Sequence, residues 1–227
     1  MSPSPDRTIL CFGDSNTHGT VPMTGPDDLA RYSRSGRWPG VLATELGPGW
    51  HVIEEGHPGR TTVHDDPIDG AHKNGLTMLP ALLESHRPID LVLVMLGTND
   101  LKARFSVPPE DIARSVERLA RMVQASNAGP NGQPPGLILI APTPIEETGW
   151  LAAMFAGGAA KSRSLGAAIA NAASRVGAGF VDAGELAAVH PLDGIHLTAD
   201  GHRTLGMALA AAVAEWSEAN EQGRETC

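Results

Sequence analysis

Three side chains that together could hydrolyse an ester lie near opposite ends of the chain. Ser15 stands in a Gly-Asp-Ser-Asn segment directly after a short apolar run, and Asp193 and His196 are three residues apart near the other end. A serine hydroxyl is a weak nucleophile near neutral pH until a base takes its proton, and an acid must hold that base in one tautomer. We therefore predict Ser15 as nucleophile, His196 as general base and Asp193 as the carboxylate that orients the imidazole.

Each of these residues also has an ordinary structural explanation. A serine at this position can cap the N-terminus of a helix, and the Asp-Gly pair that begins at Asp193 is common in turns. Asp14 can either cap the first helix or orient the Ser15 loop. The Gly-x-Ser-x-Gly elbow of the α/β-hydrolases is absent, because Asn16 and Thr17 follow Ser15, so a catalytic Ser15 implies another serine-hydrolase architecture.

Two further polar fragments, Gly56–Gly59 and Gly97–Asp100, lie between the two ends, and each follows an apolar run. We predict an oxyanion hole formed by the backbone N–H groups of Ser15 and Gly59 and the side-chain amide of Asn99. Such donors act on charge that develops only in the tetrahedral intermediate, so they lower the barrier instead of binding the ester. The structural alternatives are an ordinary turn residue for Asn99 and a positive-φ position for Gly59.

The elements that must position these residues alternate between strand and helix. Short apolar runs predict buried strands over Thr8–Phe12, His51–Glu54, Ile89–Leu96, Gly136–Ala141 and Gly179–Val181. Helices are predicted over Trp38–Leu46, Leu76–Ser85, Pro109–Gln124, Gly158–Val176 and Asp200–Glu218. This alternation predicts an α/β fold of the flavodoxin-like, three-layer α/β/α kind, with a five-stranded parallel sheet in the order 2-1-3-4-5.

The predicted element order places every candidate residue beyond the carboxyl end of a strand. Ser15 follows the first strand, Gly59 the second and Asn99 the third, while Asp193 and His196 come after the fifth. Ligands of open parallel sheets bind at this edge. The motifs and the fold therefore indicate the same site by separate arguments.

Composition narrows the expected partners and compartment. We predict one domain over residues 1–227, with a core at about 8–216 and short flexible tails. The net charge of -9 argues against a nucleic-acid or anionic-membrane partner. Cys11 lies in an apolar run and is expected to be a buried thiol, with no disulfide to Cys227. No secretory signal or spanning segment is visible, so a cytoplasmic location is expected.

Taken together, the four fragments resemble the conserved blocks of the SGNH (GDSL-type) hydrolase superfamily: Gly-Asp-Ser, Gly, Gly-x-Asn-Asp and Asp-x-x-His. They occur in family order, and the likeness spans about Ile9 to Leu209. The resemblance implies the 2-1-3-4-5 fold, a triad of Ser15, His196 and Asp193, and an oxyanion hole of Ser15, Gly59 and Asn99. It implies no metal and no cofactor.

Longer stretches are similar to bacterial arylesterases with acyltransferase activity, mycobacterial examples included. These stretches are Ile9–Ser15, Arg37–Ala43, Val52–Gly56, Arg60–Thr62 and Met95–Asp100. The similarity implies short-chain acyl esters, aryl esters among them, as substrates of an acyl-enzyme on Ser15, with water, alcohols or peroxide as acceptors. It also implies a homo-oligomer whose loops narrow each entrance. The chain departs from the pattern at Asn16, His18 and Pro58, where we expect an effect on the balance between hydrolysis and acyl transfer.

Two other functions fit parts of the sequence. A carbohydrate O-acetylesterase of the same superfamily would use the same residues on a polar, open groove. A flavin-binding flavodoxin-like module would use the hydroxyl-rich segment Ser15–Thr20 to hold a phosphate, but it would leave Asp193 and His196 without a role and lacks the aromatic residues expected to flank a flavin.

The remaining histidines and aspartates are explained without a metal site or a catalytic role. One loop combines three histidines and three aspartates, namely His57, His64, His72, Asp65, Asp66 and Asp69. Their spacing fits no common zinc pattern, so no metal is predicted. We expect His190 and His202 to be surface or capping residues. Apolar residues of the segment 150–155 are predicted to line an acyl pocket or to form an oligomer contact, and the contact is favoured because an exposed apolar loop is unusual in a monomer.

Overall fold

The computed structural model describes residues 7–225, with side chains to residue 221. Its centre is a parallel five-stranded sheet in the order β2-β1-β3-β4-β5, which confirms the predicted topology. The strands are β1 (Arg7–Gly13), β2 (Trp50–Gly56), β3 (Leu91–Met95), β4 (Gly136–Ala141) and β5 (Gly179–Asp182).

Seven α-helices are described in this part of the chain, and they lie between and after the strands. They are α1 (Ser15–His18), α2 (Trp38–Leu46), α3 (Gly75–His86), α4 (Pro109–Gln124), α5 (Gly158–Ser162), α6 (Leu165–Val176) and α7 (Ala199–Glu225). None of the described helices is both long and apolar enough to cross a membrane.

Two helix predictions need correction. The single helix predicted over Gly158–Val176 is divided into α5 and α6, because the Ser162 hydroxyl bonds the Ala159 carbonyl (2.8 Å) and also accepts from the Ile145 N–H (3.0 Å). The final helix continues to Glu225, so most of the predicted C-terminal tail is helical. Residues 1–6 and 226–227, where the rest of the predicted tails fall, lie outside the described residues.

The sheet is covered by an apolar layer on each face. Alternate residues of a strand point to opposite faces, so Leu10 and Phe12 pack with α3, α4 and α6, while Ile9 and Cys11 pack with α2 and α7. Cys11 is a buried free thiol, as predicted. Burial, with a smaller effect of Glu54, raises the pKa of this thiol well above its ordinary value.

The register brings the carboxyl ends of three strands to one line. Gly13 at the end of β1 pairs with Gly56 of β2 and with Met95 of β3. The segments that carry Ser15, Gly59 and Asn99 therefore leave the sheet side by side. The sheet therefore brings these three groups together although they are far apart in the sequence.

Candidate active site

Ser15 is the first residue of α1, in the sharp turn that follows β1. Its predicted alternative role as a helix cap is wrong, because Asp14 is the cap and its Oδ1 accepts from the Asn16 N–H at 2.9 Å. The turn needs Gly13, since a Cβ there would lie 2.0 Å from Thr17 Oγ1. The N–H groups of a first helical turn have no partner within the helix, so the Ser15 N–H is available to a ligand.

Asp193 holds the imidazole of His196 from within one tight loop. His196 Nδ1 lies 2.6 Å from Asp193 Oδ2, and Gly194 allows the loop through its φ of +71°. Oδ2 also accepts from the Met23 N–H (2.7 Å), and Oδ1 accepts from the N–H groups of Ile195 and His196. Burial alone would raise the pKa of Asp193, but these hydrogen bonds and the imidazole lower it below its ordinary value. The carboxylate therefore fixes both the ring and the loop.

Asn16, which the sequence predicted only to affect the balance between hydrolysis and acyl transfer, joins the serine turn to the histidine loop. Asn16 donates from Nδ2 to the Ile195 carbonyl (3.1 Å), and its Oδ1 accepts from the Leu197 N–H (3.0 Å). One buried carboxamide thus bonds the backbone on both sides of His196. No local pattern could reveal this role, because the partners lie about 180 residues further along the chain.

Gly59 is the third residue of a tight turn after β2. The Arg60 N–H donates to the His57 carbonyl at 3.0 Å, which closes the turn. Gly59 has a φ of +80°, so the positive-φ explanation and the oxyanion assignment are compatible. The buried Arg60 guanidinium donates to the carbonyl oxygens of Gly13 (2.8 Å) and Glu55, which ties this turn to the ends of β1 and β2.

Asn99 begins a short 3-10 turn after β3 and lies beside the serine turn. Its Nδ2 donates to Asp14 Oδ2 at 3.4 Å. Of the two roles predicted for Asp14, the structure shows the cap of α1, and the second carboxylate oxygen accepts from Asn99. The structure brings together the three predicted oxyanion donors on neighbouring loops.

Two buried carboxyl groups flank Asn99. Burial raises the pKa of Asp14 to about 6, against the lowering effect of the Asn16 N–H and of nearby cations. Burial also raises the pKa of Asp100 to about 7, although Thr62 donates to it from both its N–H and its hydroxyl. Two buried acids next to Asn99 therefore hold protons more tightly than surface acids do.

A cavity of about 420 Å³ joins the candidate residues. Ser15, Gly59, Asn99 and His196 all line it. Within the described residues the Ser15 hydroxyl forms no hydrogen bond with His196, whose ring is bonded to Asp193; catalytic hydrogen bonds often form only when substrate binds. A groove of about 620 Å³ between α4 and α6 is larger, but it contains none of these residues, and its charged lining residues are four arginines and two glutamates.

The residues that line the cavity fall into two chemical groups, which we call the apolar wall and the polar wall. One is apolar and is formed by Met23, Trp150, Leu151, Met154, Phe155 and Ile195. The segment 150–155 thus lines the pocket, as the first of its two predicted roles required, and Trp150 is fixed there because its Nε1 donates to the Met23 carbonyl at 3.1 Å. The other wall carries Asp69, Lys73 and Lys102.

The histidine- and aspartate-rich loop is held by ion pairs. Asp66 lies 3.3 Å from Lys102 Nζ and 3.0 Å from Arg104 Nη1, and Asp69 lies 3.0 Å from Lys102 Nζ. In the part of the chain that the structure covers, no three His, Cys, Asp or Glu residues are grouped to hold a metal ion. These contacts fix the loop that carries Gly59 against the segment that follows Asn99.

His202 differs from its prediction as a surface residue. It is fully buried, and its Nδ1 accepts from the Trp38 N–H at 3.3 Å. It therefore caps α2 from inside the fold, so only the capping part of the prediction holds. Burial, helped by the neighbouring His196 and Arg37, lowers the pKa of His202 to about 4, which keeps the ring neutral at physiological pH.

Comparison with known proteins defines the class as an esterase or acylhydrolase of the SGNH superfamily. The model of the GDSL-like lipase/acylhydrolase family matches residues 11–204, and the chain belongs to that family. This confirms the resemblance that the four sequence blocks carried.

Solved structures of two esterases are similar over nearly the whole chain. The M. smegmatis aryl esterase is 40% identical, with a TM-score of 0.88, and the match covers 92% of this chain and 99% of that one. A carbohydrate acetylesterase from Sinorhizobium meliloti gives the same four values. The two neighbours fit the arylesterase and the carbohydrate esterase interpretations equally well.

Curated relatives match over shorter stretches. Thioesterase 1/protease 1/lysophospholipase L1 of Escherichia coli is 32% identical over 124 residues, which are 54% of this chain and 48% of that protein. An arylesterase of Vibrio mimicus is 36% identical over 92 residues, which are 40% of each chain. The chain thus spans half or less of the length of these curated relatives.

Proposed function

We propose that this protein hydrolyses short-chain, acetyl-type carboxylic esters, aryl esters among them, through an acyl-enzyme on Ser15. The observation that carries the proposal is the shared cavity, where Ser15, the Asp193-bound imidazole and the predicted oxyanion donors meet. Family membership supports a hydrolase over the flavin-binding alternative.

The first half of the reaction transfers the acyl group to the protein. His196 Nε2 takes the Ser15 proton as Oγ attacks the carbonyl carbon, and the carbonyl oxygen becomes an oxyanion. The N–H groups of Ser15 and Gly59 and the Asn99 amide stabilise that charge. His196 then gives its proton to the departing alcohol, and the C–O bond to that alcohol breaks.

The second half returns the serine to its free state. His196 takes a proton from the acceptor, the acceptor oxygen attacks the acyl carbon, and Ser15 Oγ leaves with the proton from His196. Water gives the acid, an alcohol gives a new ester and peroxide gives a peracid. Asp193 stays ionised throughout, and it stabilises the imidazolium that forms twice in each cycle.

The rigidity of the apolar wall is the reason to expect a small acyl group. Leu151 and Phe155 are 6% and 2% exposed, so neither can swing aside without disrupting packing. We expect p-nitrophenyl acetate to be cleaved much faster than the octanoate, measured as kcat/KM by release of p-nitrophenolate. Equal or faster cleavage of the octanoate would contradict the short-acyl assignment.

A carbohydrate O-acetylesterase is the second candidate function. The polar wall with Asp69, Lys73 and Lys102 offers partners for sugar hydroxyls, and the S. meliloti neighbour is a carbohydrate acetylesterase. Parallel assays on phenyl acetate and acetylated xylan, with and without an alcohol acceptor, separate the two candidates. Both substrates are acetyl esters, so the better one by kcat/KM identifies the alcohol part, aryl or sugar, that the cavity prefers.

We also propose that the chain forms a homo-oligomer around the cavity entrance. Trp150 lines the cavity yet is 37% exposed, and Leu192, next to Asp193, is 42% exposed. Exposed apolar side chains of this kind mark contact surfaces when they cluster. Light scattering after size-exclusion chromatography tests this, and a monomer at all concentrations would refute it.

A further inference from the structure

The turn that carries Gly59 has two possible orientations of its central peptide. His57 and Arg60 close the turn, with Pro58 second and Gly59 third. The φ of +80° at Gly59 is that of a type II turn. A type I turn differs mainly by a flip of the Pro58–Gly59 peptide, and glycine tolerates both conformations. The flip would move the Gly59 N–H to the opposite side of the turn.

Lys73 bonds this peptide at its other end. Its Nζ donates to the Pro58 carbonyl at 2.9 Å, and it lies 3.3 Å from His57 Nε2. The Pro58 carbonyl and the Gly59 N–H belong to the same peptide unit and point in opposite directions. A peptide flip would therefore break the bond to Lys73.

The lysine itself is well fixed. Its backbone carbonyl accepts from the Thr61 N–H at 2.9 Å, and its side chain packs on Gly59, where a Cβ would lie 3.3 Å from Lys73 Cε. Within residues 7–221, Lys73 forms no salt bridge, whereas Lys102 on the same wall binds two aspartates. The positive charge of Lys73 is thus directed at a neutral peptide.

We propose that Lys73 is a positioning residue of the oxyanion hole, which holds the Pro58–Gly59 peptide in its type II orientation. The charge-assisted bond also withdraws electron density through the peptide and makes the Gly59 N–H a stronger donor to the oxyanion. This inference rests on the proposed function, since it requires Gly59 to act on a tetrahedral intermediate. It also gives a role to Pro58, which fixes the second position of the turn.

The test compares Lys73→Met with Lys73→Arg on p-nitrophenyl acetate. Loss of one direct oxyanion donor costs about 10²–10³ in kcat, so loss of its supporting cation should cost less, about 10-fold. KM should stay near the wild-type value, because the bond matters most in the transition state. Phenylboronic acid, which forms a tetrahedral adduct with serine, should bind more weakly by the same factor. Arginine, which keeps the charge and the donors, should restore most of kcat.

Arg114→Met is the matched control, because it removes one positive charge from an exposed position on α4 (78% side-chain exposure). It should behave as wild type, and thermal unfolding should show all variants folded. Wild-type kcat and boronate affinity in Lys73→Met would overturn the inference, as would an arginine variant no better than methionine. Ser15→Ala is measured alongside. If it retains activity, the proposed function itself is wrong. If Ser15→Ala is inactive and Lys73→Met is unaffected, only the role proposed for Lys73 is wrong.

Discussion

Replacement of Asn16 by alanine should separate the serine turn from the histidine loop. The carboxamide makes two buried hydrogen bonds, to the Ile195 carbonyl and from the Leu197 N–H. A buried hydrogen bond contributes about 1 kcal/mol net, and a stranded buried partner costs about 1–3 kcal/mol. We therefore expect the free energy of unfolding to fall by about 2–4 kcal/mol.

The same change should reduce activity by a different route. Without the two hydrogen bonds of the Asn16 carboxamide, the backbone on both sides of His196 is free to shift. A displacement of about 1 Å can cost about 10²-fold in rate. We expect kcat/KM for p-nitrophenyl acetate to fall by about 10- to 100-fold. Urea unfolding gives the stability, and initial rates at a temperature where the variant is folded give the activity.

Asp90→Ala provides a control for stability alone. Asp90 accepts from the Thr8 N–H at 2.8 Å and immediately precedes β3, at the edge of the sheet opposite the cavity. This variant should lose stability but keep its kcat/KM. The reasoning would be refuted if Asn16→Ala were destabilised and yet as active as wild type. The two Asn16 hydrogen bonds would then stabilise the fold without positioning the imidazole.

Three further predictions follow from the site. Asp193→Asn should lower kcat by about 10²–10⁴-fold, since the imidazole loses the carboxylate that orients it, and steady-state rates on phenyl acetate measure this. Burial raises the pKa of Asp100 from 3.8 to about 7, so the folded state binds the proton more tightly and stability should fall as pH rises from about 4 to 7. Asp100→Asn should remove this fall, which corresponds to roughly 4 kcal/mol, and urea unfolding of both proteins across that pH range checks it; parallel curves would contradict it. Phe155→Ala should enlarge the apolar wall and raise the octanoate-to-acetate ratio of kcat/KM, and an unchanged ratio would place the acyl group elsewhere.

The sheet and its edge were predictable because the relevant signals are local. Apolar runs indicated the five strands, and the alternation of strands with helices predicted their parallel order. Once the order was known, Ser15, Gly59 and Asn99 had to emerge near one another, as the alignment of Gly13 with Gly56 and Met95 shows. The Asp193–His196 contact was equally accessible, since three residues in a tight loop bring the two side chains together.

The supporting contacts were not predictable, because they join segments that no sequence pattern connects. Asn16 meets the histidine loop across almost the whole chain, and Lys73 reaches Pro58 from the far end of an irregular loop. The break between α5 and α6 has a similar origin, since the Ser162 hydroxyl serves the loop after β4 as well as its own helix. In each case a tertiary partner decides the role of a residue whose type alone permits several.

Mass spectrometry of the rapidly quenched reaction with p-nitrophenyl acetate tests most directly whether the Ser15 hydroxyl and the His196 imidazole work together. The account predicts one acetyl group on the wild-type protein, mapped to the peptide that contains Ser15, and no such group in His196→Ala quenched at the same time. Acetyl on another residue, or acetylation of Ser15 at the wild-type rate without His196, would contradict it.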